Sequence, residues 1–128
     1  MEKAKSLFVD LQKASQKLSI ALHLPPTEIN RDATIQRFEF TFELFWKLLQ
    51  TILAKNGIEA YGPKNAIREA GKLGILDNVE EWLEFLTARN LASHTYNEKL
   101  AKDVYKEAKL FLESLGKVLD KIEKFLII

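Results

Sequence analysis

A run of polar residues ends a predicted helix in the segment RNLASHTY, residues 89–96. The apolar residues before it repeat at helical spacing, and Asn90 is the next position of that series. Arg89, Ser93 and His94 lie around Asn90. A buried polar group without a hydrogen-bond partner costs about 1–3 kcal/mol. We therefore expect these side chains either to form a satisfied hydrogen-bond network or to line a solvent-filled cleft.

Arg89 and His94 carry the groups that RNA cleavage without a metal ion requires. An imidazole titrates near neutrality and can transfer a proton, and a guanidinium binds a phosphate with two parallel donors and can stabilise charge that develops on it. On a continuous helix the two residues are about 140° apart in azimuth and about 7.5 Å apart in rise, so they would flank Asn90. One histidine does not easily act as both base and acid. Two copies of the site facing each other across a dimer would supply both groups.

A structural interpretation of the same residues stays open. Asn90 and Ser93 would bond to the backbone of the following loop, and Arg89 would pair with a carboxylate. Glu39 and Glu43, four residues apart on the second predicted helix, either pair with Arg89 across the bundle or form a polar helix face. A carboxylate beside Arg89 would also orient its guanidinium. The two glutamates lack a third ligand at suitable spacing, so no metal site is predicted.

Five helices are predicted to position these residues, because the chain shows helical periodicity and no alternating strand pattern. The expected fold is all-α, an up-and-down four-helix bundle with one additional short helix, formed by a single domain over residues 1–128. The first predicted helix covers residues 3–22, and the second runs from a cap at Asn30 or a near neighbour to Asn56. The short third helix begins at Pro63 and ends near Gly71 or Gly74. The fourth begins at a cap at Asp77, with Glu80 completing a capping box, and the fifth begins at a cap at Thr95 or Asn97.

Two apolar stripes define the expected core beside the site. The stripe of the second helix contains Phe38, Phe42, Phe45, Leu49 and Ile52. The stripe of the fourth helix contains Val79, Leu83 and Leu86. Phe40 and Leu44 fall outside the first stripe, either because the helix is buried on two sides within its own bundle or because they lie in a subunit interface.

Three cations recur every four residues on the short third helix: Lys64, Arg68 and Lys72. Such a row is usually a solvated helix face. The functional alternative is a rim of phosphate contacts around the cleft, since RNA binding by this chain requires a local patch of positive charge.

Composition narrows the possible functions. The chain has 128 residues, of which 47% are hydrophobic and 29% charged, and its formal net charge is +1. Such a chain forms a folded domain without a global field that would attract nucleic acid. It has no cysteine, so disulfides and thiolate metal sites are excluded. No signal peptide and no apolar run of the ~20 residues that span a membrane is present. We expect a cytoplasmic protein without cofactors.

Three blocks of the sequence resemble a known family. RNLASHTY fits the Arg-x4-His-x-Tyr motif of HEPN-domain proteins (higher eukaryotes and prokaryotes nucleotide-binding). The blocks IQRFEFTFELFWKLLQ, YGPKNAIREAGKLGIL and WLEFLTARNLASHTYNE are similar to the nucleotidyltransferase substrate-binding proteins, a HepT-like branch of that family. The motif alone is weakly specific. Three blocks in the same order over roughly residues 6–120 are a strong match.

The resemblance implies a helical bundle that forms a homodimer and is paired with a small, separate nucleotidyltransferase. In related HepT-like toxins the matching arginine and histidine serve RNA cleavage, and the matching tyrosine accepts AMP from the partner. Carried over to this chain, Arg89 and His94 form the nucleolytic pair, Tyr96 is the acceptor of AMP, and Asn90 is a supporting residue. Ser93 beside Asn90 and Glu43 as a carboxylate partner of Arg89 are expected to support the site on the grounds of residue type and spacing.

The sequence leaves more than one function open. The first is a companion subunit of a minimal nucleotidyltransferase, in a toxin–antitoxin pair, that cleaves RNA without a metal ion at a dimer cleft. The second is a non-catalytic module that binds nucleotide or partner and presents substrate to the transferase. The third is a purely structural dimer. The chain lacks a glycine-rich phosphate loop and the transferase's own paired aspartates, so it is not itself a nucleotidyltransferase.

Overall fold

The computed structural model describes residues 2–126 of the protein and contains five α-helices joined by short connections. They are α1 (Glu2–Leu22), α2 (Glu28–Lys55), α3 (Pro63–Lys72), α4 (Val79–Leu91) and α5 (Glu98–Leu126), and one turn of 3₁₀ helix, Ala92–His94, follows α4. No β-strand occurs in the described part of the chain. The all-α prediction is therefore confirmed.

The four long helices form the bundle, and α3 packs against α2 and α4. An ion pair between Asp77, just before α4, and Lys121 near the end of α5 is 2.8 Å long. Ser114 of α5 donates a hydrogen bond of 2.7 Å to Glu81 in the first turn of α4. The start of α4 thus lies beside the last part of α5, so these two helices are antiparallel.

An aromatic cluster centred on Phe111 of α5 joins α2, α4 and α5. Five rings lie with their centroids 5.3–6.1 Å from that of Phe111: Phe38, Phe42, Phe45, Trp82 and Phe85. Most of these pairs meet edge to face, an arrangement that adds about 0.5–1.5 kcal/mol per pair to the burial of the rings. The predicted stripe of α2 is confirmed as core, since all five of its residues are buried. The cluster gives the segment before Arg89 a rigid support.

The predicted cap of α4 is wrong by one residue. Asn78, not Asp77, is the N-cap, because its Oδ1 accepts a hydrogen bond of 3.3 Å from the backbone N–H of Glu81. Asp77 instead accepts a hydrogen bond from Lys121. The expected capping box with Glu80 is therefore replaced by the pair Asn78 and Glu81, three residues apart.

Two other caps agree with one of the alternatives that the sequence left open. The near neighbour of Asn30 that caps α2 is Thr27, whose Oγ1 accepts a hydrogen bond of 3.2 Å from the Asn30 backbone N–H. Asn97 precedes α5 and accepts a hydrogen bond of 3.1 Å from the Leu100 N–H. Thr95 does not cap this helix, because its hydroxyl donates to the backbone of the preceding 3₁₀ turn.

Candidate functional site

Arg89, rather than Asn90, continues the buried stripe of α4. The stripe contains Trp82, Phe85 and Leu86, whereas Val79 and Leu83 are only half-buried and Asn90 is exposed. At about 100° per residue, position 89 lies within about 20° of position 82. The predicted stripe is thus confirmed at Leu86, while Val79 and Leu83 lie at its edge, because the aromatic cluster selects the face that carries Trp82. Arg89 is half-buried at the end of that face.

The guanidinium of Arg89 has three kinds of contact. Its Nη2 lies 3.0 Å from Oε2 of Glu43, and its Nη1 donates a hydrogen bond of 3.2 Å to Oδ1 of Asn90. Its central carbon lies 5.8 Å from the centroid of the Phe42 ring, a cation–π distance. Its Nε is buried and has no hydrogen-bond partner among residues 2–126. The predicted pairing of Arg89 with a carboxylate across the bundle is present.

Glu43 is held by a second donor that the sequence analysis did not identify. Nε1 of Trp46 donates a hydrogen bond of 3.0 Å to Oε2 of Glu43, the oxygen that also accepts from Arg89. Trp46 lies three residues after Glu43, a spacing that places the two side chains side by side on a helix. That spacing was the available signal. Trp46 and Arg89 together fix the position of the Glu43 carboxylate.

A second carboxylate also faces Arg89. Burial raises the pKa of Glu39 above its ordinary value, and the charge of Arg89 offsets part of that rise. Glu39 and Glu43 are four residues apart and share one face of α2, so Arg89 is near both. In residues 2–126 no group of three or more His, Asp or Glu side chains is placed to bind a metal ion.

His94 lies outside the helix that carries Arg89. The chain changes from α-helix to 3₁₀ helix at Ala92, so the separation of about 140° expected for a continuous helix does not apply. The imidazole is exposed, and its centroid lies 6.1 Å from that of the Tyr96 ring, nearly perpendicular to it. One chain therefore exposes His94 beside Tyr96, and no hydrogen bond joins it to Arg89 within residues 2–126.

The remaining supporting residue, Ser93, contributes little. Its hydroxyl lies 3.5 Å from the backbone oxygen of Asn90, at the limit of a hydrogen bond. It is exposed and bonds within its own turn rather than to the next loop.

Tyr96 is 87% exposed and lies at the edge of a cavity of about 440 Å³ between α2 and the start of α5. Ligand pockets in proteins begin at roughly 300 Å³. The charged residues that line this cavity are mostly acidic: Glu28, Asp32, Glu39 and Glu98, with Arg31. The phenol is therefore accessible to another protein, and the cavity beside it lies on the same stretch of α2 as the Arg89 contacts.

Phe40 and Leu44 lie on the side of α2 that faces α1. Phe40 is 38% exposed, and Leu44 is half-buried and packs against the core. With Lys13 and Lys17 of α1 and Glu43, they line a shallow groove of about 390 Å³. An exposed phenylalanine beside the Glu43 carboxylate connects this groove to the Arg89 contacts.

The three cations of α3 are all exposed. Lys72 pairs with Glu69 of the same helix at 3.3 Å. Lys64 lies in the first turn, and the loop before it contacts α2 because the Gly62 N–H donates a hydrogen bond of 3.0 Å to Oε1 of Gln50. Among the three cations, Lys64 is the one at the end of α3 that the hydrogen bond between Gly62 and Gln50 connects to α2.

A single chain can bind a phosphate or exchange a proton, whereas a reaction that combines the two requires a further contact. Arg89 presents a fixed, partly exposed guanidinium that can bind a phosphate. His94 provides a solvent-accessible imidazole that can exchange a proton. Since no hydrogen bond joins the two side chains within residues 2–126, we expect a reaction that uses both to need the substrate, or a second chain, to join them. No helix within residues 2–126 is long and apolar enough to cross a membrane.

Comparisons with known proteins identify the family of this chain. A family model described as "Nucleotidyltransferase substrate binding protein like" matches residues 5–124. A relative from Haemophilus influenzae, "Probable ribonuclease HepT", is 33% identical over 95 residues, which is 70% of this chain and 65% of that protein. This chain thus matches somewhat less than two thirds of that relative's length.

Two solved structures share the fold. A crystal structure of a protein from Thermus thermophilus superposes with a TM-score of 0.82 and 38% identity, covering 88% of this chain and 98% of that one. A Haemophilus influenzae structure, which revealed the fold of a substrate binding domain of a nucleotidyltransferase, gives a TM-score of 0.69 and 26% identity, covering 95% and 98%. The family resemblance expected from the sequence is therefore confirmed: the chain belongs to the nucleotidyltransferase substrate-binding proteins, and it is similar to a probable HepT ribonuclease.

Proposed function

We propose that this protein is the companion subunit of a small nucleotidyltransferase, and that as a homodimer it cleaves RNA without a metal ion through Arg89 and His94. One observation carries the proposal. The side chain of Arg89 is 25% exposed on the core-facing side of α4, and its guanidinium is fixed there by Glu43, Asn90 and the Phe42 ring. A bundle selected for stability alone would carry an apolar side chain at this position.

In the proposed reaction the ribose 2′-oxygen attacks the adjacent phosphorus. The imidazole of one His94 accepts the 2′-hydroxyl proton as the new P–O bond forms. The bond from phosphorus to the 5′-oxygen breaks, and the His94 of the second protomer gives that oxygen a proton. Arg89 neutralises the charge that develops on the non-bridging phosphate oxygens. The products are a 2′,3′-cyclic phosphate and a 5′-hydroxyl.

The test is RNA cleavage by purified protein in the presence of a chelator. Wild type is expected to produce 2′,3′-cyclic phosphate ends, and Arg89→Ala or His94→Ala to lower the rate by about 10²-fold or more. Lys109→Ala, an exposed position on α5, is the control and should keep the wild-type rate. Cleavage that survives both site substitutions would come from another site or a contaminant.

The second half of the proposal concerns the homodimer. Phe40 and Leu44 line the same surface groove as Glu43, so an interface there would place two copies of the site close together. Phe40→Asp should then yield a folded monomer in sedimentation analysis with unchanged helical content. A dimer that persists at the wild-type affinity would exclude this face.

Tyr96 is the proposed acceptor of AMP from the transferase. Its phenol is almost fully exposed, as an acceptor that must enter another enzyme's active site has to be. After co-expression with the transferase, mass spectrometry should find AMP on Tyr96 in wild type and none in Tyr96→Phe. Tyr61→Phe is the matched control, since Tyr61 is also exposed. Unmodified Tyr96 in the presence of active transferase would remove the acceptor role.

A non-catalytic module that presents substrate to the transferase is the second candidate. The cavity of about 440 Å³ beside Tyr96 and the relative with the fold of a substrate binding domain favour it. The chelator experiment separates the two candidates. Tight nucleotide binding by wild type without any RNA cleavage would support the module and exclude the nuclease.

A further inference from the structure

The face of α2 that carries Glu43 continues toward the start of α3. Gln50 is seven residues after Glu43, so it lies within about 20° of it in azimuth and about 10 Å farther along the helix. Oε1 of Gln50 accepts the hydrogen bond from the Gly62 N–H at 3.0 Å. The loop before α3 is thus attached to the same face of α2 as the Arg89 contacts.

Two cations and an exposed aromatic ring lie along this path. Lys47 follows Glu43 by four residues, and its ammonium lies 6.0 Å from the centroid of the Trp46 ring. Tyr61 is 72% exposed, and Lys64 in the first turn of α3 is exposed as well. We call Lys47, Tyr61 and Lys64 the α2–α3 surface.

The exposed ring of Tyr61 stands on a backbone that is fixed on both sides. Nδ2 of Asn65 donates a hydrogen bond of 3.0 Å to the Tyr61 carbonyl, and the next residue, Gly62, is bonded to Gln50. Gly62 has a φ of +87°, a left-handed conformation that glycine adopts without strain and that directs the chain into α3. An exposed ring whose backbone is already fixed loses little backbone entropy when a partner binds to it.

An exposed aromatic ring on a fixed backbone, with exposed lysines on the two helices that flank its loop, suits a single-stranded nucleic acid. Unpaired bases stack on aromatic side chains, and lysines contact the phosphates between them. A duplex offers no free base face to Tyr61. The chemistry of the α2–α3 surface therefore favours a single strand over a duplex.

The opposite end of the same helix face repels phosphate. There Asp32 of α2 is joined by Glu28 and Glu98 around the cavity beside Tyr96, and the acidic lining extends from there to Glu39, which faces Arg89. The one cation of that lining, Arg31, already lies 3.9 Å from Glu98. A phosphate chain held at Arg89 is therefore drawn toward Lys47 and Lys64 and away from Asp32.

We propose that the α2–α3 surface binds a single-stranded stretch of RNA on one side of the phosphate held by Arg89, with a base stacked on Tyr61 and phosphates at Lys47 and Lys64. The inference rests on the proposed function, whose substrate it specifies as unpaired RNA. It also divides the row of cations on α3: Lys64 contacts RNA, and Arg68 and Lys72 do not.

The test measures binding of a fluorescein-labelled single-stranded RNA of about 12 nucleotides to the full-length His94→Ala protein, in which cleavage is prevented. Adding Lys47→Glu and Lys64→Glu should weaken binding about tenfold or more and reduce the slope of log affinity against log salt by about one to two. The matched control, Lys109→Glu with Lys117→Glu, changes the same charge on exposed positions of α5. It should leave both quantities nearly unchanged.

Stacking is tested separately from charge. Tyr61→Ala should weaken binding by about fivefold or more, and Tyr61→Phe should keep the wild-type affinity, since stacking needs the ring and not the hydroxyl. The same RNA annealed to its complement should bind more weakly than the single strand. Circular dichroism of each variant checks that the bundle is intact.

The outcomes separate this inference from the proposed function. If the Lys47 and Lys64 reversal weakens binding no more than the α5 control, or Tyr61→Ala binds like wild type, the α2–α3 surface is excluded while RNA cleavage at Arg89 stands. If His94→Ala binds no RNA and wild type cleaves none, both are overturned. Tighter binding to the duplex would also overturn the proposal.

Discussion

At the scale of one residue, Arg89 illustrates that a side chain of the candidate site can lower the stability of the fold. Its Nε lies in the core of the bundle without a hydrogen-bond partner in the described chain, and an unsatisfied buried donor costs about 1–3 kcal/mol. The contacts with Glu43, Asn90 and the Phe42 ring offset part of that cost. Glu43 does not depend on Arg89 alone, because it also accepts from Trp46 and its side chain is 38% exposed.

We therefore predict that Arg89→Met is at least as stable as wild type, by zero to about 1 kcal/mol in the free energy of unfolding. Methionine fills the core position next to Phe42 without an unpaired donor, and Glu43 keeps Trp46 and solvent as partners. Urea denaturation gives the free energy, and Arg68→Met on the surface of α3 is the control. A loss of more than about 1 kcal/mol relative to that control would mean that the ion pair stabilises the fold.

Residue types and spacing predicted part of this site. The pairing of Arg89 with a carboxylate of α2 followed from the polar residues on α4 and the glutamates among phenylalanines on α2. The role of Trp46 did not, because its ring also suits a core position and only the side-chain conformation brings Nε1 to Glu43. The position of His94 depends on the change from α-helix to 3₁₀ helix at Ala92, which the local sequence does not specify.

At the scale of elements, the helices were predicted more reliably than their ends and faces. Apolar periodicity predicted the long helices, since burial of a stripe dominates the choice of secondary structure, and Pro63 with the glycines at 71 and 74 predicted the short α3. Asp77 and Asn78 are both good caps, and the ion pair of Asp77 with Lys121 decides between them. The face of α4 depends on where Trp82 meets Phe45 and Phe111, which lie on other helices.

The contact between α3 and the start of α4 yields a prediction about two glycines. A Cβ at Gly71 would overlap Cγ2 of Val79, whereas a Cβ at Gly116 in α5 would meet no atom within 4 Å. Gly71→Ala should lower the free energy of unfolding by about 1–3 kcal/mol. Gly116→Ala should raise it by about 0.5–1 kcal/mol, because alanine is favoured over glycine within a helix.

Urea denaturation of the two variants measures both effects, and each serves as the other's control for the same chemical change. Gly71→Ala combined with Val79→Ala should recover part of the loss, since the second change removes the overlapping methyl group. A stable Gly71→Ala would show that α3 and α4 separate easily.

The interface of α4 and α5 contains a carboxylate whose charge is disfavoured. Burial raises the pKa of Glu107, and the charges of Glu84 and Glu81 raise it further above its ordinary value of 4.5. Because the pKa of Glu107 is raised in the folded state, the stability that its protonated form contributes is fully present below pH 4.5, its ordinary pKa. That contribution is lost as the pH rises through the folded-state pKa. The charged form of Glu107 therefore destabilises the fold at neutral pH.

We predict that Glu107→Gln raises the melting temperature at pH 7 by about 1 °C or more, and that this difference disappears near pH 4, where Glu107 itself is protonated. Differential scanning calorimetry at both pH values measures it. Glu113→Gln, on an exposed face of α5, should shift the melting temperature much less. An equal shift at both pH values would mean that the glutamine acts through packing and not through charge.

At the scale of the whole molecule, acidic and basic side chains lie toward opposite ends of the surface that runs along α2 to α3. The formal net charge is only +1, yet the end of α2 near Tyr96 is lined by carboxylates and the end near α3 carries Lys47 and Lys64. Arg89 lies between the two ends. The proposed RNA path therefore requires no global positive field, and it leaves the acidic end to the transferase that is proposed to modify Tyr96.

The separation of Arg89 from His94 in one chain leads to the last prediction. If a reaction needs one His94 as base and the other as acid, a dimer of one wild-type and one His94→Ala chain is inactive. Adding an excess of His94→Ala to wild type, with time for the chains to exchange, should then lower cleavage per wild-type chain by about tenfold or more. The double variant His94→Ala with Phe40→Asp is the control, because it binds the same RNA but is proposed not to dimerise, and it should leave cleavage per wild-type chain unchanged. A rate that does not fall with excess His94→Ala would place a complete site in each chain, and the substrate alone would then have to join Arg89 and His94.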